Sequence, residues 1–307
     1  MVALLLTQQI AVLFLMIACG FLLVKLGILK SSEGKTISAV VIYLIMPCSR
    51  LSAFQIDYTP EIKDGFLLAL LAAIALYMLI FLMCWLFGKA FKLTPVEKAS
   101  LIYSNSGNLV IPLVMAVLGP KWVIYTTAFS CMENLFLWSH GQSILQGTVN
   151  FNFKKIFGNV NIIACALGIV FFFTGLKLPK IFVSALASIS LCIGPMSMLT
   201  IGMLLADVDW RNVLSSKRIY LITLLKMLAV PGVLLLFLKY SGISALNANG
   251  HLILLVSLLA IITPSATTIV QMAQVYGCDA KYAGAINVLT TIVSIITMPL
   301  MIFLYML

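Results

Sequence analysis

Apolar stretches of roughly 20 residues alternate along the chain with short joints that contain charged residues, glycine or proline. A membrane-spanning helix needs about 20 predominantly apolar residues, so each stretch predicts one span. No joint is long enough to hold a soluble domain. The pattern predicts ten spans, at 4–29, 36–56, 65–91, 97–119, 122–146, 156–176, 180–206, 218–240, 251–276 and 281–306.

Composition agrees with this pattern. Hydrophobic residues make up 63% of the 307 residues and charged residues only 9%, which excludes a soluble globular chain and predicts an all-α, multi-pass membrane protein. The first stretch is too long for a signal peptide and has no cationic leader, so it is expected to span the membrane. The net charge of +10 is attributed to basic residues on the cytoplasmic side, and no nucleic-acid partner is expected.

The basic residues indicate an orientation in the cell membrane. With the N-terminus outside, 12 of the 19 lysines and arginines fall in cytoplasmic joints, five in outer joints and two inside spans. Cytoplasmic loops of membrane proteins are enriched in lysine and arginine. We therefore expect a multi-pass protein of the cytoplasmic membrane with both termini outside.

The fourth span contains a polar motif, SNSGNLVIP, from Ser104 to Pro112. Glycine and asparagine favour non-helical backbone and proline removes a donor, so the sequence predicts a helix break just before Pro112, with Asn108 near the middle of the span. Unwound backbone at this depth is tolerated only inside protein or beside a watery cavity, which indicates a binding site. A kinked helix whose asparagines bond to neighbouring helices is the alternative.

A weak internal repeat suggests how the spans are organised. A shift of 148 residues aligns a glycine pair and a proline pair, and the proline of span 4 has a counterpart in span 9. Five spans per repeat is an odd number, so the second copy must enter the membrane from the opposite face. The sequence thus predicts two inverted five-helix repeats, 1–150 and 151–307, with broken helices 4 and 9 that cross. The matched pairs are Gly27 with Gly175, Pro47 with Pro195, and Pro112 with Pro264; helix kinks are expected at Pro47 and Pro195.

Polar residues near the two predicted breaks are the candidate ligands. Their amide and hydroxyl groups can bind a protonated substrate, a carboxylate or Na⁺, so their chemistry alone does not identify which of these three ligands binds. Half-helix N-termini at the two prolines favour an anion. The substrate-binding candidates are Ser104, Asn105, Asn108, Pro112, Thr263, Pro264, Ser265 and Thr267, and Ser106 and Thr268 are further candidate ligands.

Few ionisable groups lie inside spans. Glu133, beside Asn134 in the middle of span 5, is the candidate coupling carboxylate, because a buried carboxylate can load and release a proton or bind Na⁺. Gln271 completes the predicted coupling-ion site. A structural carboxylate satisfied by a neighbouring hydroxyl is the alternative. The scattered cysteines and isolated histidines predict no metal site, and no cofactor beyond H⁺ or Na⁺ is expected.

Two basic residues are candidates for charge balance. Lys226 in span 8 is interpreted either as the counter-ion of Glu133 or an anionic substrate, or as a lysine whose ammonium reaches the inner membrane surface. Arg50, three residues after Pro47, is interpreted either as a residue that steers anions inward or as a plain interfacial arginine.

The motif NSGNLVIPL, the joint at Gly119, the central Pro264 in ITPSATTIVQMAQVYGCDA, and ten spans in two halves together resemble the auxin efflux carrier family. The short central joint is similar to the compact bacterial members, which include malate and malonate permeases. The resemblance implies a scaffold domain, a transport domain and an elevator-like motion. It also implies that Asn105, Asn108 and Pro112 form the first arm of a crossover and Pro264 the second.

These features predict a secondary active transporter of a small organic anion, auxin-like or malate-like, in the lipid bilayer. No nucleophile and base are paired on any span, so no enzyme is expected. A Na⁺/H⁺-type antiporter and a non-transporting sensor are the alternatives, although no aspartate lies in the middle of a span. The residues leave open the substrate, the direction, the coupling ion and whether a homodimer forms.

Overall fold

Helices account for most of the backbone that the computed structural model describes. It describes residues 2–55, 59–106, 109–110, 113–114, 118–119, 122–147 and 158–307, and no β-strand forms within these ranges apart from one isolated bridge. The helices are α1 (Val2–Lys25), α2 (Gly34–Val40), α3 (Met46–Ala53), α4 (Pro60–Phe91), α5 (Pro95–Ile102), α6 (Val123–Phe136), α7 (Gln142–Gln146), α8 (Val160–Thr174), α9 (Lys180–Ser190), α10 (Ile193–Leu205), α11 (Trp210–Ser215), α12 (Lys217–Leu224), α13 (Val230–Tyr240), α14 (Gly250–Ile261), α15 (Thr267–Tyr276) and α16 (Ala280–Met306).

Several helical stretches are long and apolar enough to cross a membrane. In the described part of the chain five stretches meet both conditions, which supports an all-α, multi-pass membrane protein. They are Ser31–Ala53, Pro60–Phe91, Lys180–Leu205, Lys217–Tyr240 and Ala280–Met306. Shorter apolar helices occur at Phe14–Lys25, Val160–Thr174 and Gly250–Ile261. The count of ten spans and the inverted repeat stay predictions.

Most helix contacts can be described as two groups, and α15 and α16 of the second group also contact helices of the first. In the first group α10 packs along α1 and α2, and α8 and α9 pack against α3. In the second group α4 packs against α6 and α14, and α16 packs against α12 and α15. Each group therefore contains helices from both halves of the chain. The division into repeats 1–150 and 151–307 stays a prediction.

At three places in the described residues, an irregular turn connects two consecutive α-helices. Short π-helical turns join α2 to α3, α6 to α7 and α12 to α13. Pro47 is the second residue of α3, the helix that directly follows the first of these turns. Pro195 is the third residue of α10 and follows an interruption at Leu191 and Cys192. Since proline cannot donate the backbone hydrogen bond of a regular helix, both irregularities lie where the sequence predicts kinks.

Span 4 is interrupted at residues 103–105, before the position at which the sequence predicts a break. Helix α5 ends at Ile102, Tyr103 is extended, and helical backbone resumes at Ser106. The predicted break just before Pro112 stays a prediction, because Pro112, like Asn108, lies outside the described residues. The backbone is unwound at these polar residues because the amides of Ser104 and Asn105 find partners on other parts of the chain. Unwinding there therefore leaves these two amides satisfied.

Helix packing in the first group depends on close backbone contact between α1 and α10. A Cβ added at Gly202 would lie 2.0 Å from the carbonyl oxygen of Ile17, and one added at Gly20 would lie 2.1 Å from that of Leu199. Real Cβ atoms do not approach backbone this closely, so any side chain here must push the two helices apart. Glycine is thus required at this crossing for its size alone.

We expect Gly202→Ala to lower the free energy of unfolding by about 1–3 kcal/mol, because the added methyl group overpacks the α1–α10 contact. Gly232→Ala is the matched control, since a Cβ there meets nothing within 4 Å. The control should be neutral or more stable by about 0.5–1 kcal/mol, the usual gain over glycine inside a helix. Thermal unfolding in detergent measures both. Equal effects of the two substitutions would contradict the close packing.

Candidate functional site

The two interrupted helices meet at their interruptions. Ser104 and Ser265 form an antiparallel bridge, flanked by two backbone hydrogen bonds. The amide of Asn105 donates to the carbonyl of Pro264 at 2.8 Å, and the amide of Ala266 donates to the carbonyl of Tyr103 at 3.0 Å. Each break thus satisfies backbone groups of the other, which is how unwound backbone can persist inside a membrane protein.

A carboxylate from α6 stabilises the first break. Glu133 is only 6% exposed. Its Oε1 accepts the backbone amide of Ser104 at 2.9 Å, its Oε2 accepts the hydroxyl of Ser106, and the hydroxyl of buried Tyr77 makes a further hydrogen bond. These donors lie where helical backbone resumes after the break. A negative charge is favourable there because it faces the positive end of the half-helix dipole.

A buried ammonium stabilises the other side of the same break. Lys226 lies in the π-helical turn after α12 and is 2% exposed. Its Nζ donates to the carbonyls of Leu101 and Tyr103, at 3.1 and 3.3 Å, and to Oγ of Ser104 at 2.8 Å. A cation is favourable beside the last carbonyls of a helix. The interpretation of Lys226 as a lysine that reaches the membrane surface is therefore wrong.

Ser104 joins the two charged groups. Its amide donates to Glu133, and its Oγ accepts from Lys226 and donates to the carbonyl of Ile261 at 3.1 Å. Ile261 is the last residue of α14, so the same hydroxyl also binds the end of the second broken helix. Lys226 thus reaches Glu133 through Ser104, and the two breaks share one hydrogen-bond network.

Arg50 extends from α3 towards this network. Its Nη2 donates to Oδ1 of Asn134 at 3.1 Å, and Nδ2 of Asn134 donates to the carbonyl of Ser130 at 2.5 Å. Within the described residues, Nε of Arg50 is buried and has no hydrogen-bond partner. The guanidinium therefore lines the site, and its Nε–H is available to a ligand.

A small cavity lies between these groups. Its volume is about 30 Å³. A space of this size holds a water molecule or a desolvated cation, and it is too small for an organic acid. The lining residues are Met46, Arg50, Tyr103, Ser104, Asn105, Ser106, Glu133, Asn134, Leu137, Ile193, Ala266, Thr267 and Thr268.

Thr263, Pro264 and Gln271 are predicted site residues that do not line this cavity. Thr263 donates its hydroxyl to the carbonyl of Ala260. Gln271 donates to Oγ of Ser197 on α10 at 2.8 Å, so the structure does not bring it together with Glu133. Pro264 contributes its carbonyl to the pairing of the breaks, as described above.

Sequence reasoning missed the polar face of α16 that supports the second break. The amide of Ser265 donates to Oγ1 of Thr290 at 3.2 Å, and Nδ2 of Asn287 donates to the carbonyl of Ser265 at 2.5 Å. Asn287, Thr290, Thr291 and Ser294 are all buried. Their spacing of three, one and three residues places them on one helical face, a signal that was visible in the sequence.

The architecture and site are those of a multi-pass helical membrane protein that holds two interrupted helices together through buried polar groups. Comparison with protein families gives the class. The family described as membrane transport protein matches the chain in two segments, residues 5–151 and 144–302, which together cover almost all of it. The chain therefore belongs to this membrane transport family, of the auxin efflux carrier type that its motifs predict. A comparison with curated proteins finds no match.

Proposed function

We propose that this membrane transporter carries a small organic anion, a mono- or dicarboxylate, by alternating access at the paired breaks, with Glu133 as the proton-coupling group. The observation that carries the proposal is the charge around the breaks. Two cations, Arg50 and Lys226, lie at the breaks together with one carboxylate, and Nε of Arg50 has no hydrogen-bond partner among the residues that the structure describes. One positive charge is thus left over, which favours an anionic substrate.

Arg50 is the residue best suited to bind the substrate carboxylate. The Lys226 ammonium has three donors, and they match its three acceptors at the break. Lys226 therefore binds the helix ends and has no further donor for a substrate. Arg50 donates one hydrogen bond to Asn134, and its Nε has no partner in the described part of the chain. A guanidinium can bind a carboxylate through two parallel hydrogen bonds, which makes it the stronger and more selective anion ligand.

The start of α15 adds a second anion-binding feature. Ala266, the residue before the helix, provides no side-chain cap for its first amides, and Thr267 and Thr268 line the cavity. The N-terminus of a helix attracts anions through the helix dipole. An organic anion between Arg50 and this N-terminus would have cationic or donor groups on both sides.

Binding of such a substrate requires the site to open. The cavity of about 30 Å³ corresponds to a closed arrangement of the two helix groups. Arg50 belongs to the first group, through α3, and Asn134 to the second, through α6, so their hydrogen bond crosses between the groups. Movement of one group along the other, the elevator-type motion implied by the family resemblance, would break this contact and expose the guanidinium.

Glu133 can couple this motion to a proton. Its carboxylate accepts hydrogen bonds from the backbone and from a hydroxyl at the first break. Protonation removes one acceptor position and the negative charge that faces the half-helix N-terminus. The loaded proton would therefore change how firmly the break is held, which links proton binding to the opening of the site.

The test of substrate class is thermal stabilisation of the purified protein by a panel of mono- and dicarboxylates and indole acids. Each is measured with and without Na⁺ and at two pH values, since a ligand raises apparent stability by mass action. We expect a carboxylate to stabilise the wild type and to bind Arg50→Gln about 10- to 100-fold more weakly, the loss typical of a charged hydrogen bond. Arg211→Gln, which removes an exposed arginine of α11, is the matched control.

Two results would contradict the proposal. Equal stabilisation of the wild type and Arg50→Gln by the same carboxylate would mean that Arg50 does not bind the substrate. Stabilisation by Na⁺ or pH alone, with no effect of any organic anion, would favour a cation antiporter. Asn108→Ala in the same assay tests the role that the sequence assigns to that residue.

A further inference from the structure

A groove separate from the paired breaks lies where α4 ends and α5 begins. Its volume is about 520 Å³, which is in the range of small-molecule sites. We propose that this groove binds an anionic phospholipid, with an acyl chain on its apolar floor and the phosphate between Lys89 and Lys98. The lining residues are Phe81, Cys84, Trp85, Gly88, Lys89, Pro95, Lys98, Ile102, His140, Ser143, Ile144 and Gly147.

The floor of the groove is suited to an acyl chain. Cys84 and Ile102 are buried beneath it, and Phe81 and Ile144 are partly buried at its sides. Trp85 is 55% exposed at the rim. An apolar groove of this kind on a helix that faces the bilayer is filled by a lipid chain, because lipid tails are the solvent at that surface.

The rim of the groove is basic. Nζ of Lys89 lies 3.8 Å from the centre of the Trp85 ring. The stem of Lys98 passes over Gly88, where an added Cβ would lie 3.3 Å from Cε of the lysine. One ammonium comes from α4 and the other from α5, and both face the same groove.

The positive charge of this rim is not balanced within the part of the chain that the structure describes. No acidic side chain lines the groove, and neither lysine forms an ion pair with any residue in the ranges that the structure describes. Two unpaired ammonium groups favour an anionic headgroup over a zwitterionic one, by about 1 kcal/mol for each lysine near an anionic surface, or roughly fivefold in affinity. A phosphate with a net negative charge is therefore the expected occupant.

The depth of the groove favours a lipid over a soluble phosphate. It lies at the end of the 32-residue apolar helix α4, where Trp85 is followed by Lys89 and Lys92. Aromatic and basic residues at the end of a span mark the level of the headgroups. The basic-residue pattern of the sequence places this end at the cytoplasmic leaflet, which carries the anionic lipids.

The groove also contacts the helix that carries the first break. Ile102 is the last residue of α5, and His140 in the groove wall is 3.0 Å from the hydroxyl of Tyr103. Tyr103 in turn lines the cavity at the breaks. A bound lipid would therefore pack against the segment that positions the site.

Native mass spectrometry of the purified protein with phosphatidylglycerol and phosphatidylcholine tests the proposal. We expect the wild type to prefer phosphatidylglycerol, and Lys89→Gln/Lys98→Gln to bind it about 25-fold more weakly, from roughly fivefold for each lysine. Lys25→Gln/Lys35→Gln is the control, since it makes the same charge change at the same predicted leaflet. Lys25 also lies over an aromatic ring, that of Phe21, at 5.5 Å.

A second variant tests the apolar floor without changing the charge. Ser143→Phe is expected to fill the groove and to weaken binding of both lipids. This variant tests the proposal even if the double lysine variant fails to fold. Glycerol phosphate should not compete with phosphatidylglycerol, because it lacks the acyl chains. Equal affinity for the two lipids, equal loss in the control, or full competition by glycerol phosphate would each overturn the proposal.

Discussion

Replacement of Glu133 by glutamine should abolish substrate uptake driven by a proton gradient in proteoliposomes and leave exchange of substrate across the membrane measurable. Glutamine has the shape of the carboxylate but cannot take up a proton. Its carbonyl oxygen can still accept the amide of Ser104, and the hydroxyl of Ser106 can rotate to accept from its amide group. The break should therefore persist while the coupling is lost.

Glu97→Gln is the matched control for this prediction. Glu97 is the other fully buried carboxylate in the described chain, and it binds Arg218 at 2.5 and 2.7 Å and the hydroxyl of Tyr282 at 3.0 Å. It lies at the start of α5, away from the cavity. We expect Glu97→Gln to lower stability and to keep gradient-driven uptake in the folded fraction.

The outcomes of the Glu133 experiment separate three accounts. Loss of driven uptake with retained exchange assigns proton coupling to this carboxylate. Equal loss of both activities would mean that Glu133 is structural or binds the substrate. Retention of proton-driven uptake would mean that a residue other than Glu133 couples proton binding to transport.

Lys226→Met should cause the largest loss of stability of any single substitution considered. The change removes a cation that binds two carbonyls at the end of α5 and the hydroxyl of Ser104. Those acceptors would be left unsatisfied in the protein interior, and Glu133 would lose the nearby positive charge. Breaking a buried charge network in this way costs about 3–5 kcal/mol.

The free energy of unfolding in detergent measures this effect, and Lys239→Met is its control. Lys239 is a lysine of α13 with one exposed bond to the carbonyl of Leu304, so its loss should cost less than about 0.5 kcal/mol. In the double variant with Glu133→Gln the two effects should not add, because Ser104 joins both residues. Equal, small losses for Lys226→Met and Lys239→Met would contradict the capping role.

Local sequence signals predicted the position of structural irregularities with uneven success. The repeat-matched glycines, Gly27 and Gly175, both adopt left-handed backbone just after a helix, at φ 73° and 69°. The interruption around Pro264 also lies where the sequence predicts it. These features depend on the backbone preferences of single residues, which a sequence displays directly.

Structural features that depend on tertiary partners could not be predicted from local sequence patterns. The first break lies at Tyr103–Asn105 because its amides pair with Glu133 and Pro264, and no local pattern contains that information. The matching of Pro112 to Pro264 failed to predict that Ser104 pairs with Ser265. Likewise, an arginine near the end of a span reads as interfacial until its contact with Asn134 is known.

Counterflow of a labelled carboxylate tests the central claim most directly. Proteoliposomes loaded with an unlabelled mono- or dicarboxylate are diluted into the labelled compound, with no ion gradient present. The account predicts transient accumulation of label by the wild type and a much smaller accumulation by Arg50→Gln at the same substrate concentration. Saturable binding of the carboxylate without counterflow would contradict transport and would favour a sensor that uses the same fold.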